Sequence, residues 1–173
     1  STGPSKSGNA QVSASSVSAA RSSQIEVEKA AQERAVQGLD PDARKRAEDV
    51  ASRFAQAMNA RTWQTSRQQW REALAPTVSP ELLKTLDVDR DWESDAQHRF
   101  VQAKASTSVQ VLESRAQTVQ GERVDVALMV ATETTGEDPW VTAPRTERPM
   151  TVVVDTTQNR VVEQIDMTPH GGL

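Results

Sequence analysis

Between Asp40 and Arg61 the apolar side chains Ala47, Val50, Ala51, Phe54, Ala55 and Met58 return every three or four positions. Arg44, Lys45, Glu48, Asp49, Arg53 and Gln56 take the opposite side. This spacing predicts an amphipathic helix over 41–60, with Asp40 as N-cap and Pro41 at the first helical position. Two shorter helices are expected next. Ser66-Arg67-Gln68-Gln69 opens one that carries Trp70, Ala73 and Leu74 and stops at Pro76, and Ser79-Pro80-Glu81 opens another that carries Leu82, Leu83 and Leu86.

From about Phe100 the period changes to two. Val101, Ala103, Ala105, Thr107, Val109 and Val111 alternate with Gln102, Lys104, Ser106, Ser108 and Gln110. A second run sets Val124, Val126, Leu128 and Val130 against Asp125, Ala127, Met129 and Ala131, with Gln120-Gly121 as the turn between the two. Met150 to Val154 reads as a third strand, and Val161 to Met167 as a fourth after a turn at 157–160. A slip of one residue would turn every apolar side chain to the wrong face, so the alternation fixes which face is buried. Helices followed by an antiparallel meander predict an α+β fold: three helices packed in a curved four-stranded antiparallel sheet, a cone-shaped roll over 40–169. Helix 41–60 would fill the hollow.

Residues 1–23 are dominated by Ser, Ala and Gly and read as a flexible linker, since they carry too little apolar surface to offset the entropy of ordering. A helical extension is expected over 24–38, opened by the S-x-x-E pattern of Ser23 and Glu26 and closed at Gly38. Its apolar side (Val27, Ala30, Ala31, Ala35) is thin and suits a stalk or a loosely docked helix. Residues 170–173 read as a tail.

Composition narrows the function classes. The 173 residues are 36% hydrophobic and 25% charged with a net charge of −4. This balance gives no electrostatic ground for nucleic-acid binding. With no Cys there are no disulfides, thiolate metal sites or cysteine nucleophiles, and with no Tyr and two His the acid–base inventory is small. No apolar run approaches the roughly 20 residues that span a membrane.

Few motifs suggest chemistry. Asp87-Val88-Asp89-Arg90-Asp91 begins like a calcium loop, but Trp92 stands where the sharp turn needs Gly and His98 where a bidentate Glu is required, so the stretch reads as a solvated acidic connection. His98 and His170 lie far apart and form neither a triad nor a metal site. Asp125 and Asp166 fall on the polar side of their strands and are expected to face solvent or pair with Arg. The four Trp carry more information. Trp63 and Trp70 are expected to close one end of the roll. Trp92 and Trp140 sit in long connections and are the candidate partner contacts, Trp140 within the loop 136–144. No P-loop, dinucleotide loop, nucleophile elbow or zinc helix motif is present. No catalytic, cofactor-binding or metal-ligating residue is assigned.

The segment Trp70-Arg71-Glu72-Ala73-Leu74-Ala75-Pro76-Thr77-Val78-Ser79-Pro80-Glu81-Leu82-Leu83 follows an Ala-rich helix and precedes the strands. In this order it resembles proteins of the nuclear-transport-factor-like (cystatin-like roll) superfamily. More narrowly, it resembles the periplasmic-type domain of the inner-membrane assembly factor of type IV secretion and conjugation systems, as found in Gram-positive bacteria. The resemblance implies a non-catalytic assembly or scaffold module. It also implies an extracytoplasmic position, with membrane attachment through a segment not present in this chain, and partners that are other proteins of a membrane-associated complex, with weak self-association. Two alternatives stand beside it: a small-ligand carrier or enzyme using the cone of the roll, and a transport accessory protein of the envelope.

Overall fold

The computed structural model describes residues 20–31, 33, 34 and 36–165. The expectations for 1–19 and 166–173, including Asp166, Met167 and His170, lie outside the described residues. Helical residues 20–31, 33, 34, 36 and 37 make up α1. This helix is already formed at residue 20, three residues ahead of the expected Ser23 cap. Most of its described side chains are exposed, but Val36 is 4% exposed and belongs to the main core, so the C-terminal end of α1 is anchored rather than a free stalk.

The long helix, α2, spans Pro41–Asn59 with Pro at its start. Asp40 makes no side-chain cap hydrogen bond. Its predicted stripe is buried: Ala47, Val50, Ala51, Phe54 and Ala55. A two-residue strand, β1 (Arg61–Thr62), follows. Next come α3 (Arg67–Leu74), with a complete capping box between Ser66 and Gln69, and α4 (Pro80–Arg90), capped by Ser79 onto the Leu82 amide.

The expected strand over 100–105 is corrected to a helix, α5 (Asp95–Gln102), capped by Ser94 onto the amide of Gln97. Phe100 and Ala103 are three apart, a spacing that suits a helix and would put them on opposite faces of a strand, whereas Val101, Ala103 and Ala105 continue the strand-like alternation. The chain turns at Lys104, whose φ is 48°, and the strand begins at Ser106.

Four strands complete the sheet: β2 (Ser106–Gln120), β3 (Arg123–Thr135), β4 (Ala143–Asp155) and β5 (Arg160–Ile165). They form an antiparallel meander in the order β1-β2-β3-β4-β5. The sheet therefore has five strands rather than four, the extra one being β1. Gly121 supplies the φ of 61° that the β2–β3 turn requires. β4 begins seven residues earlier than Met150, because its polar first half (Arg145, Thr146, Glu147, Arg148) pairs with β3 at the sheet's exposed end and gives no apolar signal.

The helices pack against the curled sheet, with α2 across its core face. Val124, Val126, Leu128 and Val130 of β3 and Val152 and Val154 of β4 are buried beneath it. Phe54 and Leu128 are buried in the hollow and Met58 is packed alongside, so side chains fill the interior of the roll. Glu48, placed by its periodicity on the solvated side, instead ties α2 to β2. Its carboxylate accepts the Ala116 amide at 2.9 Å where β2 is bulged, and its carbonyl accepts the Ser114 hydroxyl at 2.7 Å. The segment after α3 is stitched to the sheet as well, through Ser79 N–H to the Val161 carbonyl (2.9 Å) and Val161 N–H to the Thr77 carbonyl (2.7 Å).

Phe54 is the largest side chain that α2 buries and is 0% exposed. Phe54→Ala should lower stability by about 3–5 kcal/mol, read as a fall in the urea midpoint at unchanged slope. A loss well below that range would show that the hollow is not closed on this side chain.

Candidate functional site

Two neighbouring clefts lie at the end of the roll where α2 terminates. The first, of about 400 Å³, is lined by Met58, Asn59, Arg61, Trp70, Leu86, Asp89, Arg90, Thr107, Thr132 and Thr134. The second, of about 390 Å³, adds Asp95, Arg99, Phe100, Trp140 and Val141, and shares Arg61 and Thr134 with the first.

The floor follows from strand register. Thr107, Val109 and Val111 pair with Thr134, Thr132 and Val130. These residues continue the face that is buried further along the sheet. Beyond the end of α2 the same face changes from Val to Thr, and the Thr107 and Thr134 hydroxyls lie 2.8 Å apart.

The walls are set by a chain of side-chain contacts that begins at Asp87. The capping box of α3 directs Arg67 toward α4, where its guanidinium donates to Asp87 from Nε at 3.0 Å and from Nη2 at 2.7 Å; Arg71 approaches to 3.7 Å. Asp91 ends α4 in the left-handed conformation, φ 50°, and turns the chain back. Trp92 then returns over Trp70, with ring centroids 5.5 Å apart at 67°, and donates its indole N–H to Asp87 at 3.1 Å. The Arg90 guanidinium lies 3.8 Å from the Trp92 ring centroid and 5.0 Å from that of Trp70. On the other side β1 holds Arg61 at the sheet edge, its guanidinium 3.9 Å above the Phe100 ring.

The hydrogen bond from Arg67 holds the Asp87 carboxyl below the ordinary carboxylate range, with further help from Trp92. Burial lowers Arg61, and burial together with the positive charge of Arg61 brings Arg90 down to about 10. Both guanidiniums stay charged at neutral pH.

The candidate residues fall as follows. Trp140 is 92% exposed in the loop between β3 and β4, at the rim of the second cleft. Trp92 is half-buried and held by Trp70, Asp87 and Arg90 within the chain. Trp70 closes the end of the roll as expected, but Trp63, at 36% exposed, does not; its backbone N–H donates to the Ala105 carbonyl just ahead of β2, and Lys104 lies 5.9 Å from its ring. Of the acidic stretch, Asp87 is buried on α4, while Asp89, Asp91, Glu93 and Asp95 are exposed, Asp91 and Glu93 in the connection between α4 and α5. His98 is exposed on α5, 3.9 Å from Glu93. Asp125 accepts a hydrogen bond from the Thr118 hydroxyl at 3.3 Å. Sequence reasoning missed Arg61 and Arg90. The change from Val to Thr along one strand face is the signal that could have drawn attention to this end.

No protein-family model matches the chain, and no curated protein matches it. Among solved structures it is similar to CagV, a VirB8 homolog of the T4SS of Helicobacter pylori strain 26695, with a TM-score of 0.51 and 11% identity over 72% of this chain and 99% of that one. The chain shares the fold of CagV. It is also similar to TraH from the Gram-positive conjugative plasmid pIP501 (TM-score 0.49, 6% identity, 73% of this chain and 94% of that one). The intermembrane space region of the chloroplast protein ARC6 has a TM-score of 0.48 and 15% identity, over 73% of this chain and 95% of that one. The α+β roll that the sequence resemblance implied is thus the fold of this chain. Among the described residues no helix is long and apolar enough to cross a membrane.

Asp87→Asn should weaken the Arg67 fork and loosen Trp92. The folded carboxyl titrates below its unfolded value of about 3.9, so its contribution is fully present above that value and is lost as pH falls through the folded one. Thermal melts of the parent and of Asp87→Asn should therefore differ near neutral pH and converge on acidification. A gap that stays constant down to the acid limb would remove Asp87 as the clamp. Arg67 is half exposed, so solvent screens the pair and the neutral-pH gap should be modest.

Proposed function

We propose that this domain is a non-catalytic assembly module of a conjugative or type IV secretion-like apparatus. It works at the extracytoplasmic face of the membrane through contacts with other proteins of the complex and weak contacts with its own copies. The observation that carries this reading is the fold shared with CagV, 99% of whose solved chain is matched at a TM-score of 0.51. A fold alone does not assign a role, and two features of the chain support this one. Trp140 offers a large aromatic surface at 92% exposure, the kind of side chain that anchors protein interfaces. The Ser- and Ala-rich residues 1–23 have the composition of a spacer. A carrier or enzyme working from inside the roll is the rival reading, and the packing of Phe54 and Leu128 in the hollow weighs against it.

Deleting the chain from a transfer-proficient host should abolish channel assembly and transfer, and the isolated protein should show concentration-dependent association in sedimentation experiments. Trp140→Ala should weaken capture of the channel components by about tenfold or more, the range of an interface hot spot, while the far-ultraviolet circular dichroism stays unchanged. Transfer that proceeds normally after deletion would overturn the assignment.

A further inference from the structure

The first cleft brings together two positive charges, Arg61 and Arg90. Among the described residues, neither Arg61 nor Arg90 has a carboxylate within ion-pair distance, although Asp87 lies near enough to act on the charge of Arg90. Arg90 Nε is buried and has no hydrogen-bond partner. Arg61 makes one long hydrogen bond, 3.4 Å from Nη1 to the Gln97 side chain. A buried guanidinium donor without an acceptor is costly, and a native fold seldom leaves one empty without a reason.

Both guanidiniums are held by ring stacking: Arg61 on Phe100, and Arg90 on Trp92 with Trp70 beyond it. Stacking occupies the face of a guanidinium and leaves its N–H edge available, the geometry that suits carboxylate and phosphate oxygens. Thr107, Thr132 and Thr134 add hydroxyls to the floor, and Met58 and Leu86 add apolar wall. Asp89 also lines the cleft but forms no ion pair with either arginine, and Asp87 is engaged by Arg67.

We propose that this cleft binds a small anion bearing a carboxylate or phosphate group, held between the guanidiniums of Arg61 and Arg90 above the Thr107–Thr134 floor. The proposal is independent of the assembly role: it requires neither a partner chain nor a secretion apparatus, and it places the ligand beyond the end of α2 rather than in the filled hollow. Asp89 is then a competitor that keeps affinity moderate.

The test is a titration of the intact chain followed by nuclear magnetic resonance, with inorganic phosphate, with benzoate and with chloride at matched ionic strength. The Arg90 Nε–H and Trp92 indole N–H signals serve as reporters. Phosphate or benzoate should move both saturably, and chloride should not. Whichever of the two saturates at lower concentration identifies the source of the anionic group.

Arg61→Gln should weaken binding about tenfold or more. Arg90→Lys, which keeps the charge and loses the fork, should weaken it too, with the valine methyl signals of the core unmoved. Asp89→Asn should tighten it. Linear drifts equal to those with chloride, or unchanged affinity in both arginine variants, would overturn the proposal.

Discussion

The seating of α2 on the core face of the sheet is the constraint on which the remaining structure depends. A sheet whose strands carry Val at alternate positions must cover one face, and the stripe from Ala47 to Ala55 is the cover. Its hold is polar as well as apolar. The Glu48 carboxylate takes up the Ala116 amide at a bulge in β2. A free amide at a bulge is a local defect in the ladder, and meeting it from the helix pins the register of helix against strand. With α2 fixed, the positions of β1, α3 and α4 follow, because each is reached by a short connection from its C-terminal end.

That same seating determines where the roll stays open. The helix ends at Asn59, while the face it covers continues along β2 and β3. Had Val continued there, an apolar patch would remain exposed. The chain instead places Thr107, Thr132 and Thr134 on that stretch and brings two stacked arginines over it. Polar floor, aromatic supports and charge thus coincide at one end of the molecule, and the hollow itself stays packed.

Much of the fold was legible in the sequence because it is written in periods. The stripe of α2, the caps at Ser66 and Ser79, the alternation of β3 and the turn at Gly121 are local signals, and the structure keeps each of them. The misreadings arose where two patterns overlap or where no apolar signal exists. Val101, Ala103 and Ala105 continue the strand alternation while Phe100 and Ala103 have helical spacing, and the cap that decides for a helix, Ser94 with Gln97, lies within a run of acids that drew attention to charge. The first half of β4 is polar because its place in the sheet is exposed, so alternation could not mark it.

The site was less legible for a different reason. Arg61 and Arg90 are 29 positions apart, and each reads alone as a surface cation. What distinguishes them is what surrounds each one: Phe100 beneath the first, Trp92 beside the second, and no carboxylate paired with either. Trp92 reaches Arg90 only because Asp91 adopts a left-handed conformation and the Asp87 carboxylate accepts the indole N–H, and Asp87 is available for that because Arg67 fixes it from another helix. None of these steps has a sequence period. Trp140, by contrast, draws attention through its loop alone, and it stands exposed on the rim of the cleft that shares Arg61 and Thr134 with the first. The exposed loop and the arginine pair thus meet at one end of the roll, joined by the two residues that line both clefts.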